Sequence, residues 1–175
     1  MGSERCRSIF PIFHVALPLM ILEIPVIKNN FSFNRFSLII GALLPDIVDK
    51  SLMFLNLGSG RGISHTLLFV LASFLIVHLV TKRNFLISIP FLIGCASHLL
   101  LDLPEVPLFF PFINYEFIYV EDPLNEWFYT LLNDPLVLFT EISGIVIIIF
   151  IMIYHKLYSP KEIIRFLQNK PVKSE

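Results

Sequence analysis

Charge is scarce in this chain. Only 15% of its 175 residues are Asp, Glu, Lys or Arg, where a soluble domain carries about 25%. That deficit excludes a well-solvated globular surface. The formal net charge of −1 leaves no basic stripe to neutralise phosphates, which excludes nucleic acid as a partner. Cysteine is rarer still. Cys6 and Cys95 lie far apart and fit neither a disulfide framework nor a zinc spacing. No small-residue cleavage site follows the apolar run behind Arg5 and Arg7, so a cleaved signal is not expected. Internal repeats and low-complexity linkers are also missing, and the length fits one domain over 1–175.

Apolar residues take the place of charge: 55% of the chain, with a mean hydropathy of +0.77. A membrane-spanning helix needs about 17–25 mostly apolar residues. Residues 8–27 qualify, bent at Pro11, Pro18 and Pro25. Residues 36–55 qualify in length, although Asp46, Asp49 and Lys50 fall in their second half. Residues 66–81 and Phe85–Leu101 are shorter spans joined by a Lys82-Arg83-Asn84 turn, and Pro135–Tyr154 is the clearest span. Residues 104–134 hold six acids and no Lys or Arg, with many aromatics and Trp127, an interfacial composition. The polar tail, 156–175, is basic and predicts a short helix over 160–168. Lys and Arg favour the cytoplasmic side, so the tail and the Lys82-Arg83 turn are expected inside and 104–134 outside. The expectation is an all-α integral membrane bundle of about five hydrophobic helices in the cell membrane.

Ionisable residues inside such segments are costly and mark function. His98 and Asp102 are four apart, which puts both on one helix face. Asp46 and Asp49 are three apart behind Pro45, and two such carboxylates repel unless a cation lies between them. Arg61-Gly62 leads into His65 at the start of the third span. Gly58, Gly60 and Gly62 let backbone come close to a ligand there, and Arg61 suits a phosphate. His14 lies in the first span. Glu141 sits in the last span with no nearby positive partner in sequence, so it must be protonated, meet a cation, or join the site. These are metal-ligating residue types. His65, His98 and Asp102 are expected to bring their ligand atoms within about 5 Å of one another. His78 and His155 lie toward the other ends of their spans and stand apart from the group.

The order His14, Leu44-Pro45-Asp46-x-x-Asp49-Lys50-Ser51, Arg61-Gly62-x-x-His65-Thr66-Leu67-Leu68, Ser97-His98-x-x-x-Asp102 and Pro107-Leu108-Phe109-Phe110-Pro111 resembles the YdjM family. Its members are described as LexA-regulated, membrane-bound, metal-dependent hydrolases. The likeness covers roughly residues 10–112. Many members have Pro-Asp-x-Asp where this chain has Pro-Asp-x-x-Asp, which leaves open which acid takes the second position. The resemblance also implies a distant similarity to all-helical zinc phospholipase C and P1-type nucleases, which use a His-x-x-x-Asp helix pair.

Residues and resemblance together lead to one expectation. His14, Asp46, Asp49, His65, His98 and Asp102 bind a divalent metal, with zinc first in line, and the site holds two to three ions. Arg61 and Glu141 assist catalysis, Glu141 as a further ligand or general base. The reaction is hydrolysis of a phosphoester or lipid-like ester, with membrane lipid as the partner. The alternatives are a divalent cation or proton transporter and a non-catalytic protein stabilised by its metal.

Overall fold

The computed structural model describes residues 10–30, 33–55, 57–117 and 122–169. Cys6, Arg5, Arg7, Lys170 and Lys173 lie outside them. The described residues form helices joined by turns, with no strand among them. In chain order the helices are α1 (Pro11–Leu22), α2 (Pro25–Asn30), α3 (Arg35–Phe54), α4 (Leu67–Val80), α5 (Phe85–Leu101), α6 (Pro123–Asn133), α7 (Pro135–Tyr154) and α8 (Pro160–Leu167). A 3-10 turn, Ile63–His65, precedes α4.

Local chemistry sets most boundaries. Side chains of Asn34, Thr66, Asn84 and Asp134 accept from the first free amides of α3, α4, α5 and α7. Ser159 and Glu162 close a capping box on α8. Lys82 and Arg83 take left-handed backbone angles in the turn between α4 and α5. The expected 8–27 span is divided: α1 stops at Leu22 and α2 restarts at Pro25. A proline disfavours helix in the residue before it and supplies no N–H to continue the ladder.

Helix length also separates the expected spans. Pro135–Tyr154 is long and apolar enough to cross a membrane, whereas α1, α4 and α5 have 12, 14 and 17 residues. α3 has 20 residues but carries Asp46, Asp49 and Lys50.

α3 and α5 run parallel and touch backbone to backbone. Ser37 Oγ donates to Ile87 O at 2.7 Å, and one turn further on a Cβ added to Gly41 would collide with the Phe91 carbonyl. A Cβ on Gly94 would strike the Leu38 carbonyl. Small residues allow such crossings. α1 and α7 also run parallel, from Phe13 beside Glu141 to Glu23 beside His155. Leu19, Leu22, Leu38, Ile151, Leu157 and Phe166 form one apolar core. Val70, Phe91, Cys95 and Leu99 form another between α4 and α5.

The polarity of the bundle is inverted. α4 buries only Val70, and α7 exposes Phe139, Ile142, Val146, Phe150 and Ile153. Histidines and acids are inside instead. An apolar exterior of this extent needs an apolar surrounding.

Candidate metal centre

The acids and histidines gather at one end of the bundle. α1, α4 and α7 begin there, and α3 and α5 finish there. His14 comes from the first turn of α1, Asp46 and Asp49 from the last turns of α3, His65 from the turn before α4, and His98 and Asp102 from the end of α5. All six are buried.

Four of them converge. One ligand atom each from Asp46, His65, His98 and Asp102 lies within 4.8 Å of the other three. The Nε2 atoms of His65 and His98 are 3.2 Å apart. Asp102 Oδ2 is 3.5 Å from the first and 3.3 Å from the second. Asp46 Oδ1 is 3.7 Å from each. The expected approach of His65, His98 and Asp102 is present. Bonds of about 2.0–2.1 Å to a tetrahedral metal set ligand separations of roughly 3.3 Å, so the spacing fits one ion.

The hydrogen bonds behind the imidazoles fix their tautomers. His98 Nδ1 lies 2.6 Å from the Ala42 carbonyl, and His65 Nδ1 lies 2.7 Å from Asp49 Oδ2. A carbonyl and a carboxylate only accept, so both Nδ1 atoms donate. The Nε2 atoms then face each other with lone pairs, which requires a cation between them. Without metal that cation is a proton. Burial works against a charged His65, but the carboxylates of Asp102, Asp46 and Asp49 outweigh it and push its pKa up to about 10. Burial likewise opposes an ionised Asp102. The adjoining His14, His65 and His98 rings, and then the Arg61 charge, overcome it and hold Asp102 far below the usual carboxylate range.

Asp46 and Asp49 divide the work that spacing alone left shared. Asp46 turns toward the two histidines. Asp49 turns to the loop, where it also accepts from the Gly62 amide at 2.6 Å and the Ser64 amide at 3.4 Å. Gly62 therefore brings backbone to Asp49. A carboxylate behind a ligating histidine orients it and raises its basicity.

The remaining candidates surround the four. The His14 ring stacks on His98 with centroids 4.0 Å apart, and its Nε2 is 3.5 Å from Asp102 Oδ1. Arg61 is buried, donating from Nη2 to Asp102 Oδ1 at 3.2 Å and from Nη1 to Glu105 Oε2 at 2.7 Å. Glu141 is not brought into the convergent group. Its Oε1 accepts the Phe13 amide at 3.2 Å, capping α1, whose own N-cap Phe10 offers no side-chain acceptor.

Two residues escaped the sequence reading. Lys50 pairs with Asp46 and lies 4.4 Å over the Trp127 ring; the four-residue spacing was its signal. Glu105 binds Arg61, and its only signal was an acid in a stretch without Lys or Arg. His78 and His155 lie away from the centre, against Ser88 and Glu23.

No curated protein and no solved structure matches the chain. A family model described as YdjM inner membrane protein matches residues 11–163. That range holds every residue of the site, in the order that gave the resemblance, and the chain belongs to the YdjM inner membrane protein family.

Proposed function

We propose that the protein is a membrane-bound, metal-dependent hydrolase acting on a phosphoester or lipid-like ester. One observation carries the metal: two buried Nε2 atoms, each with its Nδ1 committed as a donor, 3.2 Å apart and flanked by Asp46 and Asp102. Mixed imidazole and carboxylate ligands suit zinc. Asp46, His65, His98 and Asp102 would hold the ion, and His14 lies where a further ligand would join through Asp102. A bound divalent metal supplies an acidified water and a clamp for the developing oxyanion.

The chain's own groups do the rest. Asp49 and the Ala42 carbonyl hold the two imidazoles so that Nε2 faces inward. Lys50 holds Asp46 from behind. Arg61 supplies a guanidinium that matches phosphate oxygens. Glu141 fixes the turn of α1 that carries His14, and a general-base role would require it to leave the Phe13 amide.

We also read α1, α3, α4, α5 and α7 as five membrane crossings of one domain, with the site toward the outer face. Their alternating directions support this, as does the gathering of Lys28, Arg35, Lys82, Arg83, Lys156 and Arg165 at the opposite end. A transport pathway needs polar groups through the whole depth. The middle of this bundle is instead packed with Leu38, Ala42, Phe91 and Cys95.

The test uses purified protein, metal analysis, and a panel of phospholipids and lipid phosphates. Wild type should hold metal and release head group or phosphate. His98→Ala should lose both while keeping its helical circular dichroism. Bound metal with no release from any ester would leave a metal that only stabilises the bundle. Metal flux in proteoliposomes that depends on His98 would favour the transporter.

A further inference from the structure

We propose that residues 103–115 form the binding element for a phosphate-headed lipid. The head group takes the place of the Glu105 carboxylate on Arg61, and one hydrocarbon chain lies in the adjoining apolar groove. This rests on the hydrolase reading for the chemistry, while the binding stands without it.

The head-group position follows from how unlike the two acids on Arg61 are. Asp102 is buried and belongs to the convergent group, with its side chain 2% exposed. Glu105 is 32% exposed, with its carboxylate 2.7 Å from Nη1. A carboxylate that water reaches is exchangeable on a guanidinium, because water and other anions compete for it. A phosphate oxygen replaces it with the same charge and the same hydrogen-bond geometry. Asp102 keeps its place throughout, so the metal ligands are not disturbed.

The chain position follows from the backbone of the same segment. A groove of about 240 Å³ is lined by Leu103, Val106, Leu108, Phe110, Ile113 and Tyr115, among others. The Tyr115 hydroxyl donates to the Glu105 carbonyl at 2.9 Å. Glu105 thus holds the groove residue Tyr115 with its carbonyl and Arg61 with its side chain. Leu103 directly follows Asp102. The Leu108 carbonyl accepts the Leu67 amide at 2.9 Å, two residues after His65. The groove-forming segment is therefore fastened beside two members of the convergent group.

A soluble phosphoester would use Arg61 and leave the groove empty. A neutral lipid would use the groove and leave Arg61 on Glu105. A ligand that uses both has an anionic head and a hydrocarbon tail.

The experiment places the full-length protein in phosphatidylcholine nanodiscs with a photoactivatable phosphatidic acid that carries a diazirine in its chain. A probe with the same chain and a choline head is the comparison. The phosphate-headed probe should label the 103–115 peptide about fivefold more than the choline-headed one. Glu105→Gln removes the competing carboxylate and should raise that labelling a further two- to fivefold, roughly the size of a solvent-accessible ion pair. Ile113→Trp fills the groove from an exposed position and should abolish the labelling while metal content is unchanged. Labelling that ignores the head group, or that survives Ile113→Trp, overturns the proposal. So does complete competition by inorganic phosphate at the lipid's own concentration, which would mark a soluble phosphoester. Head-specific labelling without any hydrolysis sustains the lipid site and ends the hydrolase reading. Metal-dependent hydrolysis with head-independent labelling does the reverse.

Discussion

At the scale of single residues, the site was legible wherever one helix carried both partners. His98 and Asp102 are four apart, and helix geometry alone places Oδ2 of one near Nε2 of the other. The division between Asp46 and Asp49 was not legible, because it depends on a loop folding back to offer the Gly62 amide and His65 Nδ1. Glu105 was hidden for the same reason, since its partner Arg61 is 44 residues away in sequence; Lys50 was not hidden in that way, because it lies four residues after Asp46 on the same helix. The resulting roles are separable. Asp49→Asn keeps the shape but loses the charge behind His65, so metal affinity should fall about 10- to 100-fold in a competitive chelator titration, with the fold intact. The proton on His65 gives a second test. Its pKa rises from 6.5 to about 10, so the metal-free fold binds that proton more tightly than the unfolded chain. Its contribution to stability is fully present below about 6.5 and is lost as pH rises through about 10. Asp102 behaves oppositely: its lowered pKa stabilises above the ordinary carboxylate value of 3.8 and is lost as pH falls. Metal must displace the His65 proton, so affinity should rise by up to about tenfold per pH unit until it levels off near pH 10. Calorimetry in buffers of different ionisation enthalpy should show about one proton released per metal; no release at neutral pH would contradict a protonated His65.

At the scale of elements, apolar runs announced four of the long helices within a residue or two: α3, α4, α5 and α7 fall on the expected 36–55, 66–81, Phe85–Leu101 and Pro135–Tyr154. The first run did not, since Pro25 breaks it and composition does not say where a proline will be accommodated. Pro18, Pro45 and Pro90 all sit inside helices. The glycine contact between α3 and α5 was also invisible, because each glycine is informative only opposite the other. It has consequences for the site. Gly94 lies one turn before His98 on α5, and its missing Cβ is the space occupied by the Leu38 carbonyl. Gly94→Ala must push α3 and α5 apart, since backbone cannot turn aside as a side chain can. The expected cost is about 1–3 kcal/mol, seen as a lower melting temperature in detergent. The same displacement moves His98 away from Asp46, so metal affinity should fall in parallel. A melting temperature that drops with metal affinity unchanged would show that the site does not depend on this crossing.

At the scale of the whole molecule, the bundle has two chemically distinct ends. One holds the convergent acids and histidines, where Lys50 and Arg61 are both engaged with acids. The other is held by Glu23, which accepts from Lys28 at 2.8 Å and Arg35 at 2.7 Å and faces His155 at 2.8 Å. There Arg35 also reaches the Phe166 carbonyl and Asn169, which docks α8 against the bundle. The lysines and arginines of the α4–α5 turn and of α8 belong to that basic end. Because short basic loops are retained in the cytoplasm, the basic end should face inward and the metal centre outward. Two positions test this, in a Cys6→Ser background with Cys95 left in place because it is buried. Phe112 is 84% exposed in the segment after Asp102, and Lys156 is exposed beyond α7 at the basic end. A membrane-impermeant maleimide should label Phe112→Cys in intact cells and Lys156→Cys only after the cells are opened. The reverse pattern would turn the metal centre to the cytoplasm and remove outer-leaflet lipid as its substrate. Labelling of both in intact cells would put both ends on one side of the membrane, which an odd number of crossings does not allow.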